Sequence, residues 1–160
     1  MKQTKHQRKN KKQRAVGKQG CCGLFACLYA VGIHLKTAQD VETYRQLCKE
    51  KKLVSGKTAS WMGGTRDGER RNILQHFGAQ YEEVDLTAKT LRRLLMDKNI
   101  YQTKANYIVT VTGHCLYLKT NMMKRKLFLV DQRGVHMPRE SPLLARFAGR
   151  KVCGVLRVHT

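Results

Sequence analysis

Cys21, Cys22, His114 and Asp131 are the residues of this sequence whose types and spacing could do chemistry together. The cysteine pair stands in Gly20-Cys21-Cys22-Gly23 and runs straight into an apolar stretch that ends at Gly32. Within it Leu24, Cys27, Leu28 and Val31 recur at i, i+3, i+4 and i+7, the stripe of a buried helix. One cysteine therefore falls at a helix N-terminus. Free N–H groups and the positive end of the helix dipole stabilise a thiolate there, lowering the thiol pKa from about 8.5 and making the sulfur nucleophilic. The same stretch also fits a cysteine-rich core helix, because free cysteine packs as a small hydrophobe.

His114 follows Gly113 at the start of one strand-like segment, and Asp131 closes the next, with a short basic connection between them. An antiparallel hairpin of those lengths brings the two residues alongside each other, so that Asp131 can accept a hydrogen bond from the imidazole. Such a bond fixes the ring's tautomer and orientation and stabilises the imidazolium. Helix-borne cysteine, strand-borne histidine and adjacent carboxylate are the parts of a nucleophile, base and orienter. Acyl chemistry also needs oxyanion donors: the backbone N–H of the nucleophilic cysteine is one, and the side-chain amide of Gln19 is the expected second, with Gln132 behind it.

The elements that must position these groups fall into two halves. After the first helix Gly32 reads as its C-terminal cap, and Thr37 with Asp40 reads as a capping box opening a helix over 38–51 that buries Val41, Tyr44 and Leu47. A polar loop carrying Ser55, Gly56, Trp61, Gly63 and Gly64 follows. Its tryptophan could wall a cleft or plug the core. Thr65 is the expected N-cap of a helix that turns Ile73, Leu74 and Phe77 inward and stops at Gly78. Residues 81–84 read as a strand, and 87–98 as a helix with Leu91, Leu94 and Leu95 on its apolar side. The pattern then becomes alternating or continuously apolar over 107–112, 114–119, 126–131 and 151–158. Helices first and an antiparallel sheet second define an α+β class.

A chain of 160 residues can bury one core without covalent staples. Its apolar fraction of 41% suffices for folding, whereas the net charge of +21 is extreme and points to an anionic partner. Residues 1–18 concentrate that charge: Lys2, Lys5, Arg8, Lys9, Lys11, Lys12, Arg14 and Lys18 give eight positive charges and no acid. This run cannot form a core and is expected to be a disordered arm, with the folded domain over 19–160. Lys9, Lys11, Lys12 and Arg14 are its candidate nucleic-acid contacts, binding phosphates with little regard to sequence. A solubilising tail or transport signal has the same composition. What favours the arm is that basic residues continue in the body at Arg66, Arg70, Arg71, Arg92, Arg93, Lys124 to Lys126, Arg146, Arg150 and Lys151. The basic N-terminus lacks the apolar core of a secretory signal, and no apolar run is long enough to span a bilayer. These features predict an intracellular or intra-virion protein with reduced thiols.

Gln19, Cys22-Gly23, His114 and Asp131, in that order, resemble the papain-like cysteine peptidases. The bacteriocin-leader peptidases of ABC transporters are similar in particular, with a Cys-Gly-x-x-Cys-Leu-like helix start, a Gly-His strand and an aspartate ending the next strand. In those enzymes the glutamine stands further from the cysteine than Gln19 does here. Cys22-Gly-Leu-Phe-Ala-Cys27 is also similar to the active-site segment of adenoviral protease and of proteases that process ubiquitin-like modifiers. There the cysteine comes last in the chain, so that likeness implies circular permutation or convergence. Bacterial cell-wall endopeptidases give a third resemblance, whose Cys-Ser-Gly-Leu aligns with Cys21-Cys22-Gly23-Leu24 and moves the nucleophile to Cys21. The Cys-Gly step favours Cys22, and Cys21 stays open.

The resemblance implies a papain-like fold, with N-terminal helices packed on a C-terminal antiparallel sheet, and a thiol hydrolase acting on a protein or peptide without a cofactor. In that scheme Cys22 attacks, His114 serves as base and then acid, Asp131 orients it, and Gln19 helps to bind the oxyanion. Zinc on Cys21, Cys22, Cys27 and His114 or Cys115 is disfavoured because the adjacent pair lacks the gap of a structural site. Cys48 and Cys153 are expected in the core. Two other functions remain: a non-catalytic nucleic-acid-binding or virion-packaged protein on a peptidase-like scaffold, and a protease removing a ubiquitin-like modifier.

Overall fold

The computed structural model describes residues 21–55, 65–85, 88–97, 100, 105–121, 126–132, 134–136 and 147–159. The basic arm with Lys9, Lys11, Lys12 and Arg14, Gln19, and the loop bearing Trp61 lie outside them. Among the described residues three helices come first: α1 (Cys22–Ala30), α2 (Ala38–Glu50) and α3 (Asp67–His76). β1 (Gln80–Glu83) and α4 (Leu91–Met96) lead into β2 (Ala105–Val111), β3 (His114–Asn121), β4 (Lys126–Asp131), β5 (Gly134–His136) and β6 (Val152–His159). The strands form one six-stranded sheet in the order β1-β6-β2-β3-β4-β5, every pairing antiparallel. The class is α+β.

Both faces of the sheet are covered, and that is why its strands read as continuously apolar rather than cleanly alternating. On one face α1, α2 and α3 pack Leu24, Leu28, Val41 and Ile73 against Ile108, Cys115, Tyr117 and Val130. On the other, α4 and Phe147 pack against Tyr107, Val109, Leu116, Leu118 and Leu129. Successive residues such as Tyr107 and Ile108 thus enter different cores, as the period of two requires. α1 is buried at Gly23, Leu24, Phe25, Ala26, Cys27, Leu28 and Ala30. It is a central helix wrapped on almost every side rather than one with a single buried stripe, and Val31 lies beyond its last turn as the cap.

Local signals set several boundaries. At the end of α1 the Gly32 N–H donates to Tyr29 O at 3.1 Å and the Ile33 N–H to Leu28 O at 2.8 Å, with Gly32 at φ +86; this is a Schellman closure that needs the left-handed residue. At the start of α2 Thr37 Oγ1 accepts from the Asp40 N–H while Asp40 Oδ2 accepts from the Thr37 N–H, the reciprocal capping box. α2 buries Val41 and Cys48 fully, while Tyr44 and Leu47 are half-buried.

Other boundaries differ from expectation. Thr65 does not cap α3; the Glu69 carboxylate does, accepting from the Arg66 N–H at 2.8 Å and the Ser55 N–H at 2.6 Å. α4 begins after Thr90, not Thr87, because Thr90 pairs with Lys151 in a β-bridge and its hydroxyl accepts from the Arg93 N–H. β5 is only three residues long and gave no periodic signal. Cys153 is exposed rather than in the core: opposite β2 the register steps from Gly154 to Val152 and skips it, making it the extra residue of a β-bulge.

Candidate active site

Cys22 is the first residue of α1, and Cys21 is its N-cap without a side-chain capping bond. The Cys22 sulfur, half-buried, accepts the backbone N–H groups of Gly23 and Cys115 and is hydrogen-bonded to His114. Burial pushes this thiol up, but the His114 hydrogen bond and charge, with the two N–H donors, outweigh it and hold it below its ordinary value. Cys21 meets the opposite environment. It is 1% exposed, and burial drives its pKa up to about 11, opposed by Arg45 and reinforced by its neighbour Cys22. Of the vicinal pair, Cys22 is the one brought to the imidazole.

The Cys-Gly step has a steric cause. A Cβ on Gly23 would overlap the Thr65 hydroxyl. Arg70, buried on α3, holds that residue in place by donating through Nη1 to Thr65 O at 2.6 Å and to its hydroxyl at 3.2 Å. Thr65 thus closes against the first turn of α1 instead of capping α3.

His114 opens β3 directly after a turn whose Gly113 sits at φ +76. Its Nε2 meets Asp131 Oδ2 at 2.9 Å, the bond expected from the hairpin. The two strands pair Tyr117 with Val130, so one step further Asp131 faces Leu116 rather than His114. The pair is diagonal on one face, a separation that the length of an imidazole spans. With Nε2 committed to the carboxylate, Nδ1 is the nitrogen left for sulfur. Burial lowers the His114 pKa, but Asp131 and the Cys22 hydrogen bond and charge prevail and raise it to about 9. Each partner therefore favours the charged form of the other, the condition for a thiolate–imidazolium pair.

Asp131 is 1% exposed at the end of β4, and Gln132, 5% exposed, follows it immediately. Gln19 lies outside the described residues. A donor that the sequence did not suggest is the Cys115 N–H: β3 starts before its first pairing with β4 at Tyr117, and an N–H in that overhang is available to the sulfur. Phe147 was also unforeseen. Its ring stacks on His114 with centroids 4.6 Å apart and planes 12° from parallel. No periodic pattern in the sequence marks a residue that reaches the site from outside the strands.

Cys27, Cys48 and Cys115 belong to the core. Burial pushes Cys48 up to about 11 and Cys115 to about 12, and places Cys27 well above its ordinary value. Among the described residues no group of three or more His, Cys, Asp or Glu side chains converges as metal ligands would. A cleft of about 910 Å³ lies beside β6, lined by Val84, Asp85, Lys89, Lys151 and Cys153 among others. None of Cys22, His114 and Asp131 lines it, so this cleft is not the place where their chemistry would occur.

Neither protein-family models, nor curated proteins, nor solved structures give a match to this chain.

Proposed function

We propose that this chain is a cysteine peptidase of papain-like architecture, with Cys22, His114 and Asp131 as its triad. The observation that carries the reading is the hydrogen-bonded series Cys22–His114–Asp131 at the first turn of a buried helix, with a 2.9 Å histidine–carboxylate bond. The order of elements agrees with the resemblance of the motifs. The Cys22 thiolate attacks the scissile carbonyl carbon, forming a C–S bond as the carbonyl electrons move to oxygen. The backbone N–H of Cys22 receives that oxyanion, with Gln19 as the second donor. His114 then passes its proton to the leaving amine, and in the second half takes one from the water that releases the acyl group. Asp131 keeps the ring in the tautomer that both transfers need.

Reactivity of the thiol tests this without knowledge of the substrate. In iodoacetamide labelling across pH, with mass spectrometry to locate the site, Cys22 is expected to react rapidly near pH 6 and to lose that reactivity in His114→Ala. A Cys22 that titrates near 8.5, indifferent to His114, would remove the hydrolase reading.

The basic arm supports a second property, a hold on nucleic acid inside a cell or a virus particle, motivated by its eight positive charges and the total of +21. Affinity for DNA or RNA should fall steeply with salt and disappear when Lys9, Lys11, Lys12 and Arg14 are neutralised. If that binding alone carried the biological role, Cys22→Ala would leave the role intact, which is the outcome that separates a non-catalytic protein from a peptidase. A protease for ubiquitin-like modifiers shares the triad and differs in substrate only.

A further inference from the structure

The hydrogen bond to Asp131 fixes one atom of the His114 ring but does not by itself set the tilt of the ring about the Nε2···Oδ2 line. The parallel ring of Phe147, 4.6 Å away, restricts that tilt. Phe147 is itself held by a cation: the Arg150 guanidinium carbon lies 4.6 Å from the same ring's centroid. Arg150 also reaches the turn that carries His114, where its Nη1 donates to Thr112 O at 2.9 Å. Thr112 is gripped from both sides, since its N–H donates to Lys151 O at 3.0 Å. The guanidinium packs so closely on this turn that a Cβ on Gly113 would stand 3.2 Å from Arg150 Nη1.

We propose that Arg150 is a positioning residue for His114, bracing the Thr112–Gly113 turn below the histidine and the Phe147 ring beside it. The proposal rests on the reading of Cys22, His114 and Asp131 as the reacting set. Arg150 touches none of those three in the contacts above; it acts through a backbone carbonyl and an aromatic ring. Its own backbone is anchored, with its N–H donating to Phe147 O at 2.9 Å and its carbonyl accepting from the Leu91 N–H at 3.1 Å. The side chain can therefore transmit that rigidity. A planar guanidinium suits both tasks, because one edge donates while the face stacks.

The test is iodoacetamide labelling of the full chain across pH, comparing wild type with Arg150→Ala, Arg150→Lys and His114→Ala, and reading every cysteine by mass spectrometry. Arg150→Ala should slow labelling of Cys22 near pH 6 by roughly tenfold, the scale of a slightly misplaced catalytic group. Exposed Cys153 should label at its wild-type rate. Arg150→Lys, which keeps a cation and a donor, should recover part of the loss. An unchanged Cys22 rate in both Arg150 variants, with the rate lost in His114→Ala, overturns the proposal and leaves the catalytic reading standing. An unchanged rate in His114→Ala removes both. If Arg150→Ala instead exposes Cys27 and Cys48 to reagent, Arg150 is a general brace of the fold and the proposal fails. Should Arg150→Ala not fold at all, Arg150→Gln takes its place with the same slowing expected.

Discussion

The first turn of α1 and its middle carry the same side chain and treat it in opposite ways. At Cys22 the sulfur meets two backbone N–H groups and an imidazole and is held below its ordinary pKa. At Cys27, just over one turn on, the thiol is fully buried, donates to Arg70 O at 3.7 Å, and is pushed well above it. Residue type does not distinguish them. What differs is whether the environment supplies donors to an anion or only excludes water. A cysteine count therefore says little about reactivity, whereas position relative to the helix end says much.

The sharpest way to break this contrast is to remove the two thiols one at a time. On the proposed peptidase reading, Cys22→Ala should abolish hydrolysis, a loss on the order of 10⁶-fold by analogy with removal of catalytic nucleophiles, while Cys27→Ala should keep activity within a few-fold; progress curves on one peptide substrate compare both. Asp131→Asn should cost about 10³ to 10⁴ in kcat with substrate binding little changed, because the ring loses its tautomer rather than its pocket. Leu28→Ala, in the buried middle of the same helix, should do the reverse. Thermal or urea unfolding should show a loss of about 2–5 kcal/mol, with Cys22 labelling per folded molecule unaltered.

The pH profile probes the same contrast more gently. His114 is raised to about 9 in the folded protein from an ordinary value near 6.5. Its contribution to stability is therefore complete below about pH 6.5 and is lost as pH rises through about 9. Cys22, depressed, acts in the other sense: its contribution holds at alkaline pH and is lost as pH falls through its lowered value. Activity should accordingly form a bell whose alkaline limb lies near pH 9, and above it the rate should drop about tenfold per pH unit. Smallest of all, Thr37→Ala should destabilise by about 1 kcal/mol through the α2 cap and leave the bell where it is.

How much of this was legible depends on the range of the interaction involved. The helix that starts at Cys22, the capping box at Thr37 and the closure at Gly32 are written in neighbouring residues. The His114–Asp131 bond was legible too, because a hairpin converts sequence distance into register, although the register is diagonal. The helix expected from residue 87 starts only after Thr90, which is held in a bridge to Lys151 that nothing near it in the sequence announces. Cys153 is exposed because of a bulge defined by β2, a strand far from it in sequence. Phe147 and Arg150 meet His114 and its turn through space alone. Local chemistry could be read from the sequence, whereas the brace around the site is tertiary.

The place of β6 has a kinetic consequence. It is the last strand described, yet it lies between β1 and β2, whereas β2 to β5 form a run of sequential neighbours. Local pairings close sooner than distant ones, so the strands carrying His114 and Asp131 can assemble while β1 still waits for β6. The 147–151 segment leads directly into β6, and the ring and guanidinium beside the histidine arrive with it. Pulse-labelled hydrogen exchange during refolding should show β2 to β4 protected before β1. On that order the thiol at Cys22 acquires a fully held imidazole neighbour only in the closing step of folding.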